Sequence, residues 1–170
     1  MEYVNLIVEW SLDMATFLQM QTIKTAFYEV IPYPWLAFFS GKELKSFLCG
    51  VQSYDIENWK RNTIYSCGYK PKSPQCIWFW QFVEKSNEKT RAKLIKFVTG
   101  STNIPVSGFG DLYCSSNRKM FTIEKWNKPH HLPTGHTCFN RIDLPPYSSY
   151  EELETKLLLA IDECSGFHVE

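Results

Sequence analysis

The chain has 170 residues, of which 44% are apolar, 16% aromatic and 21% charged, and this composition predicts a folded protein and excludes a disordered tail. Eighteen basic side chains balance eighteen acidic ones, so no net charge would attract nucleic acid or an anionic membrane surface. The longest mostly apolar stretch, residues 30–39, is too short to cross a bilayer, and we expect neither a nucleic-acid partner nor an integral membrane segment.

The amino terminus and the cysteines predict a reducing compartment. The first residues have neither the basic start nor the small-residue cleavage site of a secretory signal, so we expect a cytoplasmic protein. The six cysteines lack the spacing of a disulfide framework and are expected to remain thiols. They are Cys49, Cys67, Cys76, Cys114, Cys138 and Cys164.

The beginning of the chain is expected to be helical. Apolar residues recur at three- and four-residue steps over residues 2–30, a pattern that predicts helix with a possible break at residues 11–13. Pro32 and Pro34 end this stretch, because proline removes a backbone donor and clashes with the preceding turn.

Two further short helices are predicted from their end signals. Ser40 and Glu43 form a capping box that starts one helix, and Gly50 ends it. Asp55 is expected to cap the second helix, which carries Trp59. Both helices belong to the same predicted helical region.

An exposed connector is predicted at residues 66–74, where the periodicity fails and Gly68 and Pro71 occur. A domain boundary there would separate a helical first part, residues 1–65, from a second domain at residues 75–170. Each part would then need a core of its own.

The second domain combines helix and strand patterns. Residues 76–83 are so rich in aromatic side chains that a helix there must be covered on most sides. Residues 87–98 predict another helix, with Gly100 as its C-terminal cap. Residues 121–126 alternate as a strand, and residues 137–142 are a second strand candidate in the same sheet.

The carboxyl-terminal part predicts one more helix and a short tail. Ser149 and Glu152 form a further capping box, which opens a helix whose apolar face includes Leu153 and Leu157. Residues 165–170 follow as the tail.

The run of residues from His136 to Asn140 is the best candidate for chemistry. If this run is extended, the side chains of His136, Cys138 and Asn140 share one side, and those of Thr137 and Phe139 occupy the other. A neighbouring imidazolium or hydrogen-bond donor can raise the thiolate fraction of a cysteine. The pattern therefore indicates a reactive thiol at Cys138.

Several alternatives compete with this interpretation. Cys138 could be a buried core residue, and His136 could merely order the strand through backbone partners. A redox sensor would need a resolving cysteine near Cys138, and the sequence shows none close by. A zinc site is conceivable but lacks the usual two-residue cysteine spacing, and we set it aside. Its ligands would be drawn from Cys114, His130, His131, His136 and Cys138.

A series of ordered motifs resembles the HECT ubiquitin ligases. The motifs are Trp78 to Trp80, Phe97 to Gly100, Pro105 with Gly108 and Phe109, Phe121, Leu132 with Pro133, His136 to Arg141, and Leu144 to Tyr147. The resemblance runs from about residue 3 to residue 170 and is strongest to the branch whose full-length members carry WW domains. This chain departs from that branch at Asn103, Thr134 and Gly135.

The resemblance implies an α+β fold in two lobes. Residues 1–65 would be the C-terminal helical part of the HECT N-lobe, residues 66–74 the hinge linker, and residues 75–170 a small mixed C-lobe with a short sheet packed by helices. The chain would then begin partway through the N-lobe, so the subdomain that docks the ubiquitin-conjugating enzyme is expected to be missing.

The resemblance also implies an activity. Cys138 would accept ubiquitin as a thioester from a ubiquitin-conjugating enzyme and transfer it to a lysine of a protein substrate, with no metal or organic cofactor. His136, Thr137 and Asn140 would support the reaction, and Phe167 and Glu170 in the tail would assist transfer to lysine. A non-catalytic ubiquitin-binding or decoy module is the alternative.

Overall fold

The computed structural model of this chain describes residues 2–114 and 117–163. The chain forms two compact units, Met1–Lys45 and Ser46–Glu170. None of the helices in the described ranges combines the length and the apolar character needed to cross a bilayer.

The first unit is helical, as predicted. Its helices are α1 (Glu2–Glu9), α2 (Phe17–Val30) and α3 (Tyr33–Leu36). The π-helical turn Trp10–Met14 lies between α1 and α2, at the break that the sequence predicts. Large apolar side chains are exposed along these helices. They include Val4, Leu6, Phe17, Leu18 and Ile23.

The next helix, α4 (Gly41–Cys49), begins with the predicted capping box. The Ser40 backbone N–H and hydroxyl donate to Glu43 Oε2 at 2.8 and 2.7 Å, and Glu43 N–H donates back to Ser40 Oγ at 3.3 Å. Gly50 follows the helix with a φ of 78°, a left-handed conformation that favours glycine. Both predicted ends of this helix are confirmed.

The second unit contains a four-stranded sheet in the order β1-β4-β6-β5. Its strands are β1 (Thr63–Ser66), β4 (Phe121–Lys125), β5 (Thr134–His136) and β6 (Arg141–Leu144). β4 pairs in parallel with β1 and β6, and β5 pairs with β6 in antiparallel register. Two short strands, β2 (Tyr113–Cys114) and β3 (Asn117–Arg118), form a separate antiparallel pair.

Among the described residues, α-helices from four segments belong to the same unit as this sheet. They are α5 (Ile56–Arg61), α6 (Pro74–Lys85), α7 (Glu88–Thr99) and α8 (Tyr150–Glu163). Asp55 caps α5 by accepting a hydrogen bond from Asn58 N–H, and Asn87 caps α7 by accepting one from Thr90 N–H. These two helices, and the aromatic helix α6, are confirmed where the sequence predicts them.

Trp59 lies at the centre of the core of this unit and is fully buried. Its ring stacks on Phe109 with 4.7 Å between centroids, and it meets Phe121 edge-on at 5.1 Å and Trp80 edge-on at 5.6 Å. Aromatic pairs in these arrangements add favourable contacts beyond the burial of apolar area. Helix α5, which carries Trp59, is therefore part of the same core as α6 and the sheet.

The predicted hinge linker contains a buried side chain. Tyr69 lies within residues 66–74, and its hydroxyl donates to the Pro145 carbonyl at 3.0 Å. In sequence, the boundary between the two compact units falls between Lys45 and Ser46, upstream of this segment. The predicted division into residues 1–65, 66–74 and 75–170 stays a prediction. The observed core of the second unit includes residues of β1 and α5, which lie before residue 66.

The strand predicted over residues 137–142 is wrong for its first four residues, whereas residues 141 and 142 lie in β6, which pairs with β4 in the same sheet as expected. The sequence favours a continuous strand over residues 137–142, but the chain forms a 3-10 turn at Thr137–Phe139 and enters β6 only at Arg141. Asn140 separates the two elements with a left-handed φ of 48°. A residue in this conformation cannot continue a strand, because it reverses the course of the backbone.

At the start of α8, the Glu152 carboxylate accepts hydrogen bonds from Ser148, one residue before the Ser149 of the predicted capping box. Ser149 Oγ accepts from Glu152 N–H at 3.2 Å, but the Glu152 carboxylate accepts from the N–H and hydroxyl of Ser148, at 3.0 and 2.8 Å. It also pairs with Lys156 at 2.9 Å. The Ser148 backbone hydrogen bond, with smaller help from Lys156, lowers the pKa of Glu152 to about 2.

This depressed pKa predicts an acid-dependent contribution to stability. It is fully present above the ordinary carboxyl pKa near 4.5 and is lost as the pH falls toward 2. Glu152→Gln is expected to cost about 1 kcal/mol at pH 7, since the carboxylate is partly hydrated, and to flatten the pH dependence over this window. Urea unfolding at a series of pH values measures both effects. Glu163→Gln removes a carboxylate at the far end of the same helix, away from this cap, and is the matched control.

Candidate active site

Cys138 lies at the middle of the 3-10 turn Thr137–Phe139, which connects β5 to β6, and its side chain is exposed. The alternative of a buried core cysteine is therefore wrong. The predicted alternation of His136, Cys138 and Asn140 along one strand face is also wrong, because the chain turns at this point. Exposure at a turn leaves the thiol accessible to a large partner molecule.

Asn140 fixes the exit of this turn. It is buried, with 1% of its surface exposed, and its Nδ2 donates to the Lys119 carbonyl at 2.8 Å and to the Tyr113 carbonyl at 3.4 Å. Its backbone N–H donates to the Thr137 carbonyl at 3.4 Å, and its carbonyl accepts from Thr122 N–H at 2.9 Å. Asparagine tolerates the left-handed conformation better than most residues. Asn140 thus ties the cysteine turn to the neighbouring strands.

Asn140→Ala is expected to lower the free energy of unfolding by about 1–3 kcal/mol, because two buried carbonyls lose their donor and alanine disfavours a positive φ. Asn140→Asp keeps the shape and tolerates the backbone but turns acceptors toward both carbonyls, so it should destabilise at least as much. Urea unfolding compares the two variants. An aspartate variant as stable as the original protein would contradict this role.

His136 contacts a carboxylate across the β5–β6 pair. Its Nε2 lies 2.9 Å from Asp143 Oδ2, and Arg141 Nε lies 2.9 Å from the other carboxylate oxygen of Asp143. The Arg141 N–H is not aligned for a hydrogen bond, so this second contact is an ion pair only. Arg141 Nη1 also lies 3.4 Å from Glu124. These contacts support an ordering role for His136; its predicted support of the reaction stays a prediction.

Thr137 and β5 lie close against helix α7. A Cβ placed on Gly135 would lie 2.1 Å from the Phe97 carbonyl oxygen, and one placed on Gly100 would lie 3.5 Å from Thr137 Cβ. The absence of a side chain at Gly135 therefore allows the strand to approach the helix backbone. This close approach positions the entry to the cysteine turn.

A second thiol lies beside the turn. Cys114 Sγ is 2.6 Å from the Cys138 carbonyl oxygen and 3.6 Å from the Thr137 carbonyl oxygen. The sequence shows no cysteine close to Cys138 along the chain, but the fold brings Cys114 into contact with the turn. Cys114 is 24 residues away in sequence, and only the pairing of distant segments brings it close.

Phe139, the last residue of the turn, is 49% exposed. Lys119 Nζ lies 4.2 Å from the centre of its ring, and the Arg141 guanidinium lies 5.8 Å from it. Cation–π contacts of this kind order an exposed aromatic side chain.

Phe167 and Glu170, the two tail residues predicted to assist transfer, lie outside the described residues. Across residues 2–114 and 117–163, no cluster of three or more His, Cys, Asp or Glu side chains could hold a metal ion. Cys76 is buried, and burial raises the pKa of its thiol to about 12.

Comparison with known proteins decides the family. A family model described as HECT-domain (ubiquitin-transferase) matches residues 1–170. The chain belongs to the HECT family. Both the predicted resemblance and the α+β fold, a HECT region with a small sheet and several helices, are confirmed.

Curated relatives of this HECT chain are ubiquitin-protein ligases. The E3 ubiquitin-protein ligase Nedd-4 of Drosophila melanogaster and the E3 ubiquitin-protein ligase NEDD4 of Homo sapiens are each 40% identical over 166 residues, or 98% of this chain. The NEDD4 of Mus musculus is 39% identical over the same length. The chain spans 16%, 13% and 19% of these three proteins, respectively.

Proposed function

We propose that this HECT chain is a ubiquitin transferase that accepts ubiquitin as a thioester on Cys138 and transfers it to a substrate lysine. The observation that carries the proposal is the exposed thiol on a turn held by buried Asn140, in a chain that matches the HECT family throughout. Ubiquitin, a ubiquitin-conjugating enzyme and a protein substrate are the proposed partners, and the cytoplasm is the proposed compartment.

The first step exchanges one thioester for another. The Cys138 thiolate attacks the carbonyl carbon of the ubiquitin C-terminus, a new sulfur–carbon bond forms, and the donor thiolate leaves. Because reactant and product are both thioesters, the free-energy change is small. An exposed, well-positioned sulfur supplies what this step requires from the protein.

The second step transfers the acyl group to nitrogen. An uncharged substrate amine attacks the thioester carbonyl, the Cys138 thiolate leaves, and the amine proton passes to a base. We propose that Asn140 and Thr137 position the turn and that His136 acts through its contact with Asp143. Phe167 and Glu170 are proposed to assist this step on the basis of the family resemblance.

The proposal also includes the division of the chain. Residues 1–65 would be the C-terminal helical part of the N-lobe, residues 66–74 the hinge linker, and residues 75–170 the lobe that carries Cys138. The curated relatives are much longer than this chain, so their activity as ligases comes to it only as part of this proposal.

A loading assay with two donors tests the function. The chain is incubated with ubiquitin, ATP, activating enzyme and conjugating enzyme, and separately with ubiquitin that carries a small C-terminal thioester. Gels with and without reductant should reveal a reductant-sensitive adduct, and peptide mapping should place ubiquitin on Cys138. An adduct from the small thioester alone would mean that the thiol is competent and docking of the conjugating enzyme fails. No adduct from either donor would favour the decoy module and contradict the proposal.

A further inference from the structure

Cys114 lies beside the turn that carries Cys138, and its sulfur contacts the main chain of that residue. Cys114, on β2, directs its sulfur toward two successive carbonyls of the turn, and the nearer belongs to Cys138 itself, at 2.6 Å. Cys138 is exposed and Cys114 is half-buried. A soluble oxidant would therefore meet the Cys138 sulfur first, with the Cys114 sulfur already in contact with the same residue.

A disulfide forms between cysteines whose Cα atoms lie within about 7 Å and whose Cβ atoms approach each other. β2 and the turn include residue pairs whose Cα atoms lie within 8 Å, and Cys114 Sγ contacts the Cys138 carbonyl oxygen. We expect rotation of the two side chains, with loss of the thiol–carbonyl contacts, to let the sulfurs meet.

The other described cysteines are poorer partners. Cys76 is fully buried, and burial holds its thiol in the neutral, unreactive form at physiological pH. Cys49 and Cys67 are exposed, but Cys114 is the cysteine that contacts the Cys138 turn. These two exposed thiols provide matched controls, because a peroxide can reach them as well.

We propose that Cys114 is the resolving cysteine of Cys138, and that hydrogen peroxide converts the pair into a reversible disulfide. The disulfide itself is independent of ubiquitin; its consequence, reversible arrest of ubiquitin loading, rests on the proposed function. The bond would occupy the sulfur that must attack the ubiquitin thioester. It would also protect that sulfur from irreversible oxidation.

The oxidation of the two thiols by hydrogen peroxide proceeds in two steps. The Cys138 thiolate attacks one oxygen of hydrogen peroxide, the peroxide bond breaks, and Cys138 becomes a sulfenic acid with release of one water after protonation. The Cys114 thiolate then attacks the Cys138 sulfur, the sulfur–sulfur bond forms, and the sulfenic oxygen leaves as a second water. Peroxide is reduced by two electrons, and the two thiols supply them. A thiol reductant restores both cysteines.

Peptide mapping of the whole chain tests the pairing. The reduced protein is treated with a small excess of hydrogen peroxide, remaining thiols are alkylated, and the protein is digested without reductant. We expect a peptide pair linked through Cys114 and Cys138 that disappears after reduction and forms at a rate independent of protein concentration. Linkage of Cys138 mainly to another cysteine, or over-oxidised Cys138 with no linkage, would overturn the proposal.

Two variants separate resolution from general thiol oxidation. In Cys114→Ser, the sulfenic acid on Cys138 should persist long enough to be trapped by dimedone and should then advance to a sulfinic acid that thiol reductants do not reverse. Cys49→Ser should behave like the original protein. Equal rates of irreversible Cys138 oxidation in the original protein and in Cys114→Ser would contradict a resolving role. The map of the original protein decides the pairing even if Cys114→Ser folds poorly.

A ubiquitin-loading assay of the oxidised and reduced protein tests whether the disulfide arrests activity. Peroxide should abolish ubiquitin loading of the original protein, and a reductant should restore it, whereas loading of Cys114→Ser should be lost without recovery. Full loading of a protein whose map shows the complete Cys114–Cys138 linkage would overturn the proposed arrest. If the reduced protein accepts no ubiquitin from either donor, the proposed function is wrong, while the disulfide stands or falls on the peptide map.

Discussion

Replacing Cys138 by alanine is expected to abolish the ubiquitin adduct, and replacing it by serine is expected to change the chemistry of the adduct. Alanine removes the nucleophile altogether. Serine retains a hydroxyl, which is a much weaker nucleophile than a thiolate, so loading should be far slower and should give an oxygen ester. An oxygen ester survives thiol reductants but is cleaved by hydroxide, and gels after each treatment distinguish the two bonds.

The other exposed cysteines provide the control for this experiment. Cys49→Ser and Cys67→Ser remove thiols that a ubiquitin thioester could also reach, and both variants should load ubiquitin like the original protein. Circular dichroism should show that every variant is folded. A reductant-sensitive adduct that persists in Cys138→Ala and disappears in one of the other variants would move the reactive centre away from Cys138.

Replacing Trp59 by alanine is expected to cost about 3–5 kcal/mol of stability, a large part of the 5–15 kcal/mol typical of a folded domain. The ring is fully buried and contacts Phe109, Phe121 and Trp80, so its removal would leave a cavity that rigid aromatic neighbours cannot close. Urea unfolding followed by circular dichroism measures the loss. Ubiquitin loading should fall with it, because α5 belongs to the core of the unit that carries Cys138.

Trp59→Phe is the matched variant. The buried Trp59 Nε1 has no hydrogen-bond partner among the described residues, so phenylalanine removes an unpaired polar group while keeping a stacked ring. We expect a smaller loss, on the order of 1–2 kcal/mol, and retained loading. Alanine and phenylalanine variants of equal stability would contradict the central role of this ring.

The helices could be predicted because their signals are local. The capping box of Ser40 and Glu43 and the caps at Asp55 and Asn87 involve residues three positions apart, which are neighbours in any helix. Gly100 likewise ends α7 in the left-handed conformation that its missing side chain permits. Such contacts depend on a few adjacent residues, so the sequence contains all the information they need.

The cysteine turn could not be predicted in the same way. Residues 137–142 have the composition of a strand, but Asn140 adopts a left-handed conformation whose hydrogen-bond partners, Lys119 and Tyr113, are distant in sequence. Cys114 approaches Cys138 through the same long-range arrangement. Local patterns carry no information on which distant carbonyls a side chain will meet.

The choice of Cys138 as the reactive residue depended on resemblance more than on physical pattern. Composition alone favours burial for a cysteine, and the supposed strand would have placed its thiol beside His136. In the structure, Cys138 is a candidate because its side chain is exposed on a turn. The predicted neighbour His136 contacts Asp143. For Phe167 and Glu170 the family resemblance is the whole basis of the prediction.

The parallel pairing of β1 with β4 has a consequence for any attempt to isolate the lobe that carries Cys138. A protein excised at the predicted start, residue 75, would lack β1 and the indole of Trp59. The backbone donors and acceptors of β4 would then form an open sheet margin beside an unfilled hydrophobic space, a combination that promotes self-association between chains. A usable excised lobe would have to begin upstream of α5.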